Sequence, residues 1–156
     1  MKKIIFLILL SPLNLLSQEQ DYQLNSFTTM DLDPSKKAPN THYIGSAWLK
    51  SLVRADQDFE YNLTLATFAA DSTLDWHKHS TGQVLIIVEG EGYYQERGKD
   101  VVILKKGTVV KCNQNVEHWH SSTPNQLVSY IAIYGASETV WTEKLSKEAY
   151  DKIQIN

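Results

Sequence analysis

Between Tyr43 and Tyr134 apolar and polar residues alternate in short runs, broken about every eight to twelve residues by polar or glycine-bearing turns. Phe59 to Phe68 (FEYNLTLATF) shows the period most clearly. Tyr61, Leu63 and Leu65 share one parity; Asn62, Thr64, Ala66 and Phe68 share the other. The first set is large and apolar, as a packed inter-sheet or dimer face requires. The second is small and mixed, which suits the wall of a cavity. Further strands are predicted at Tyr43 to Val53, at Thr108 to Cys112, around His118, and at Leu127 to Tyr134 (LVSYIAIY). Tyr93 to Glu96 and Asp100 to Leu104 flank Arg97-Gly98-Lys99, which reads as a hairpin. No helical period occurs before Val140. Thr142 to Ile153 is the one helix candidate, with Thr142 as cap and Leu145, Ala149 and Ile153 on one stripe. The pattern as a whole predicts an all-β sandwich or barrel.

The chemistry-bearing stretch is Trp76 to Gly92 (WHKHSTGQVLIIVEGEG), whose apolar strand, Val84 to Val88, is expected to break at Gly90 and Gly92. In an extended strand His77 and His79 project to the same side, and Gln83 keeps that parity if Ser80 to Gly82 do not reset the register. Glu117-His118-Trp119-His120 supplies a second H-x-H pair, so two pairs account for four of the five histidines. Imidazole is the commonest protein ligand for first-row transition metals, and two such pairs on two strands point to metal binding. Trp76 and Trp119 have the opposite parity and read as core.

Composition narrows the classes. The chain has 156 residues, 42% of them apolar and 21% charged, which is enough for one domain with a sizeable core. A formal charge of −3 without a basic run argues against nucleic acid as a partner. The single cysteine, Cys112, excludes an internal disulfide and thiolate zinc motifs, and its setting reads as a buried strand position. Met1-Lys2-Lys3, the apolar run Ile4 to Leu10 and a small residue, Ser17, before a polar change read as a secretory signal peptide, residues 1–17, too short in its apolar part to span a membrane comfortably. The expected location is periplasmic or secreted, with no membrane span after processing. Residues 18–40 are polar and turn-rich and read as an N-terminal arm, leaving 41–156 as the folded domain.

At these residues the chain resembles a small single-domain cupin. His77, His79, Gln83 and Gly90 or Gly92 fit the first cupin motif; Gly107 and His118 fit the second. The resemblance spans roughly Tyr43 to Tyr150 and implies a jelly-roll barrel (a double-stranded β-helix) with one divalent metal in its mouth, often as a homodimer. HKHSTGQ, EHWHSS and the tail WTEKLSKEAY are more closely similar to Gln-type cupins. These include manganese-dependent hydroxynitrile lyases and carboxymuconolactone-decarboxylase-like proteins. That resemblance implies His77, His79, Gln83 and His118 as ligands and His120 as a pocket residue. The hydroxynitrile lyases carry a histidine where this chain has Tyr130. A phenol with an ordinary pKa of about 10 replaces a base that titrates near neutrality, which speaks against carrying that specific activity over.

Three imidazoles and an amide would leave a cation's 2+ charge uncompensated, favouring Lewis-acid chemistry on a small hydroxy- or carbonyl-bearing substrate. Four protein ligands on a six-coordinate ion leave room for a guest. Manganese is the expected ion, with iron, nickel or zinc as alternatives. His120 and Tyr130 are the candidate catalytic groups, His120 alternatively orienting a ligand imidazole; Thr64, Ala66, Phe68 and Tyr134 are the candidate substrate contacts. The expected reaction is of lyase, isomerase or decarboxylase type. The alternatives are an iron-dependent cupin dioxygenase and a non-catalytic module binding a sugar or small acid.

Overall fold

The computed structural model describes residues 37–38 and 41–153. The stretch expected to be a signal peptide, residues 1–17, and nearly all of the expected arm lie outside the described residues. Strands follow in the order β1 (Tyr43–Ile44), β2 (Ala47–Val53), β3 (Tyr61–Phe68), β4 (Thr73–Leu74), β5 (Trp76–His79) and β6 (Gln83–Glu96). After them come β7 (Val102–Lys105), β8 (Val109–Cys112), β9 (His118–Ser122), β10 (Val128–Gly135), β11 (Thr139–Glu143) and a single short helix, α1 (Lys147–Asp151). All pairings are antiparallel, and they close into a nearly complete jelly-roll barrel. One wall runs β2-β3-β10-β6-β8; the other joins β7, β6 and β9 to β4, β1, β5 and β11. Among the described residues no helix is long and apolar enough to cross a membrane.

The long strand β6 belongs to both walls, which corrects the expectation that it breaks at the glycines. Its first part pairs with β8 and β10, its last part with β7 and β9. The change of partner follows a bulge, where Ser129 faces Glu89 but Tyr130 faces Ile87 and Val88 is the extra residue. At the corner Gly90 has φ 71°, and a Cβ there would stand 1.9 Å from the Leu127 carbonyl oxygen. A Cβ on Gly92 would meet the Ser121 oxygen at 2.3 Å. The glycines do not end the strand; they let it bend where backbones cross at close range.

Alternation sorts the side chains as the period demands. Ala66, Phe68, Leu85, Ile87, Tyr130 and Ala132 point inward and form one apolar cluster with Ala47, Leu104, Cys112 and Val128. Leu63 and Leu65 lie opposite Ile133 and Ile131 on the outer face. Trp76 and Trp119 form a second cluster outside the first, with Leu145 and Tyr150. The Arg97 guanidinium covers the Trp76 ring at 3.8 Å, and Trp119 Nε1 donates to Gln95 at 2.9 Å.

The helix differs from its sequence reading. Thr139–Glu143 is a strand that adds to the free edge of β5, with Thr139 opposite His79 and Trp141 opposite His77. A strand edge with unpaired backbone groups outweighs a weak helical period. The helix starts only after Ser146, whose Oγ accepts the Ala149 N–H at 3.1 Å. Leu145 and Tyr150, not Ala149, are the buried residues that anchor it. Lys37 and Ala38 also join the sheet: Lys37 bridges Trp48, and the Ala38 N–H donates to the Ala47 oxygen at 2.7 Å.

Candidate metal centre

Two paired strands bring the histidines together. His77 and His79 project inward from β5, and His118 on β9 is the direct partner of His77. The ring centroids of His77 and His118 lie 4.4 Å apart, those of His77 and His79 5.1 Å, and those of His79 and His118 5.6 Å. One nitrogen from each falls within 4.8 Å of the other two. Two nitrogens bound to one ion at about 2.1 Å stand at most about 4.2 Å apart, so slight ring rotation brings the set onto a shared ion.

The tautomers are set from outside the cluster. The Asp75 carbonyl accepts from His77 Nδ1 at 2.8 Å, and the Val116 carbonyl accepts from His118 Nδ1 at 3.0 Å. A carbonyl only accepts, so Nδ1 carries the proton in both rings and Nε2 keeps its lone pair. His79 Nδ1 faces Thr139 Oγ1 at 3.4 Å. Asp75 also ties two distant segments to the ligand strand: its Oδ1 accepts the Leu145 N–H at 3.0 Å, and its Oδ2 lies 3.2 Å from His42 Nδ1.

Protonation is resisted throughout. Burial, then the neighbouring His118, pushes His77 down to about 3; the same causes take His79 to about 4. Burial also lowers His118. At neutral pH the three rings are uncharged and offer lone pairs.

The donor set then passes a test of fit. His79 Nε2, His118 Nε2 and Gln83 Oε1 are buried polar atoms without a hydrogen-bond partner. An unsatisfied buried acceptor costs about 1–3 kcal/mol, and natural folds seldom tolerate three together. Gln83, the first residue of β6, lines the same cavity as His77 and His79. Buried lone pairs left without a donor suit a cation. His77, His79 and His118 are the residues that fit a divalent metal, and Gln83 faces the same cavity.

Beside the histidine cluster opens a cavity of about 150 Å³. The residues expected to face it, Thr64, Ala66, Phe68, His120, Tyr130 and Tyr134, all line it. Tyr130 Oη and His120 Nδ1 lie 2.9 Å apart, both groups fully buried. Burial, then the adjacent histidines, holds His120 well below the usual imidazole range, and burial raises Tyr130 well above the usual phenol range. The pair is thus a neutral imidazole and a neutral phenol sharing one hydrogen bond. Tyr134 Oη and Thr64 Oγ1 form a second such pair at 3.0 Å. Thr139 and Trp141 also line the cavity, Trp141 lying 5.1 Å from His77 and stacked on His42 at 4.3 Å. Neither stands out in the sequence, because their stretch abuts the helix candidate. Three strand-favouring residues in a row, Thr139-Val140-Trp141, are the signal that marks a strand there.

A nearly closed antiparallel jelly roll with an inward cluster of three histidines beside a cavity defines the class: a small β-barrel protein with a histidine-rich candidate metal site. The chain belongs to the cupin superfamily. The cupin domain family profile matches residues 64–134. A cupin-like protein from Thermotoga maritima is 36% identical, with a TM-score of 0.68, covering 75% of this chain and 91% of that one. The fold is shared with the polyketide cyclase RemF from Streptomyces resistomycificus (12% identical, TM-score 0.61, 80% and 92% covered). It is shared as well with a predicted oxalate decarboxylase from Thermotoga maritima (19% identical, TM-score 0.57, 68% and 98% covered). Among curated proteins no sequence matches.

Proposed function

We propose that the chain is an extracytoplasmic metalloenzyme that moves a proton on a small hydroxy- or carbonyl-bearing molecule, in a lyase, isomerase or decarboxylase type of reaction. The observation that carries this reading is the buried cluster of His77, His79 and His118, with His79 Nε2, His118 Nε2 and Gln83 Oε1 left without hydrogen-bond partners. A divalent ion held there, manganese by preference, supplies Lewis-acid polarisation of a substrate oxygen. The four ligands are neutral, so none of its charge is cancelled by the protein. The leader-like residues 1–17 support the location.

The chain's own groups supply the proton handling. His120 lines the cavity yet stands outside the cluster of three, its ring 5.3 Å from that of His77. Tyr130 occupies Nδ1 of His120, which leaves Nε2 as the nitrogen to give or take a proton. The Tyr130 hydroxyl follows in the opposite sense: as donor it makes His120 Nε2 a donor, and as acceptor it makes Nε2 a base. Tyr134 and Thr64 offer a hydroxyl pair to orient a second oxygen of the bound molecule. Phe68 packs against both Tyr130, at 6.0 Å, and His120, at 6.3 Å, and keeps water from the inner side of the pair.

Elemental analysis of protein purified without added metal, followed by a screen of small carbonyl compounds, tests the reading. His77→Ala lowers metal content strongly. His120→Ala keeps most of the metal and loses turnover; loss of metal to the extent seen in His118→Ala exchanges the roles of the two histidines. Oxygen consumption by iron-loaded protein replaces this reaction class with a dioxygenase.

A further inference from the structure

We infer that the site selects a ring-sized compound whose one ionisable head is a pair of adjacent oxygens, and that Ala66 and Ala132 set its size. This rests on the cation site proposed above. The first ground is charge. No Asp, Glu, Lys or Arg is among the cavity-lining residues, within the described part of the chain. Away from the ligands the polar groups are two hydroxyl-centred pairs, Thr64 with Tyr134 and Tyr130 with His120, plus Thr139 and the indole N–H of Trp141. A substrate carrying a further carboxylate or ammonium on its body would bury that charge without a counter-ion. The head group meets the opposite condition, because neutral protein ligands leave a bound cation's charge to attract an anionic oxygen pair.

The second ground is shape. Three alanines on adjacent strands, Ala47 on β2, Ala66 on β3 and Ala132 on β10, make the space: Ala47 sits beside Phe68, and Ala132 is paired with Thr64 next to Ala66. A cavity of about 150 Å³ is the size that accepts a benzene ring. Flat walls bound it, with Phe68 and Tyr130 nearly parallel (15°) and Trp141 beside His77. Larger side chains at the two inward alanines would occupy this volume.

The test is calorimetric titration of the full-length, metal-loaded protein with catechol and with 3,4-dihydroxybenzoate, which carries the same oxygen pair plus a ring carboxylate. Metal content is determined on the same samples. Catechol is expected to bind at least tenfold more tightly than the dihydroxybenzoate. Ala66→Leu and Ala132→Leu are expected to keep their metal and to weaken catechol at least tenfold. Equal or tighter binding of the dihydroxybenzoate, or unchanged catechol affinity in metal-replete leucine variants, overturns the assignment. Protein that takes up no stoichiometric metal overturns the cation site itself, and the substrate class with it. That outcome is read from the elemental analysis alone.

Discussion

Metal-free protein is expected to lose stability steeply as pH falls below 6.5, and His77 alone carries a measurable share. Its imidazole is held at about 3 in the folded chain against 6.5 when unfolded. Between those values the unfolded state binds a proton that the folded state refuses. Stability from this group is fully present above 6.5 and drains away as pH falls, until the folded ring itself protonates near 3. The limiting slope is about 1.4 kcal/mol per pH unit, and integration from pH 6.5, the midpoint of the unfolded titration, to pH 4.5 gives about 2 kcal/mol. The cause is physical exclusion: the ring is buried, Nδ1 is spent on the Asp75 carbonyl, and His118 and His79 oppose a second positive charge. Urea titration of metal-stripped wild type and His77→Gln at both pH values isolates the effect, because any cost of the glutamine itself cancels in the difference between pH values. Wild type should lose about 2 kcal/mol more than the variant. Identical acid losses in the two proteins would refute the claim that a buried neutral imidazole at this position governs acid sensitivity.

Gly90→Ala should destabilise by about 3 kcal/mol or more, since alanine must adopt a positive φ and displace a backbone carbonyl; a wild-type urea midpoint would contradict the corner role. Tyr130→Phe strips the partner from a buried imidazole nitrogen and should cost about 1–2 kcal/mol while leaving metal content intact. Loss of metal in that variant would instead place Tyr130 in the coordination scaffold. Gln83→Glu should bind the metal more tightly, because a carboxylate adds charge to an otherwise neutral ligand set; weaker metal affinity on competition with a chelator would remove position 83 from the site.

The period-two alternation of FEYNLTLATF and LVSYIAIY was enough to place Thr64, Ala66 and Phe68 on one face and Tyr130, Ala132 and Tyr134 on another, because strand parity is a local property. The inward turn of His77 and His79, two apart, follows from the same rule. What parity does not contain is which strand lies beside which. The pairing of His77 with His118, and of Tyr134 with Gln83, depends on β6 bending at Gly90 so that one strand serves two walls. In sequence such a bend looks like an end, since glycine punctuates turns and corners alike. Likewise Thr139–Glu143 carried a weak signal of its own, and became a strand because β5 offered an open edge. Its placement brought Thr139 and Trp141 to the cavity, and no local pattern announces a partner so distant along the chain. Sequence thus determined which residues face inward; the closing of the barrel decided which of them meet, because hydrogen-bond partners between strands are chosen by the whole sheet.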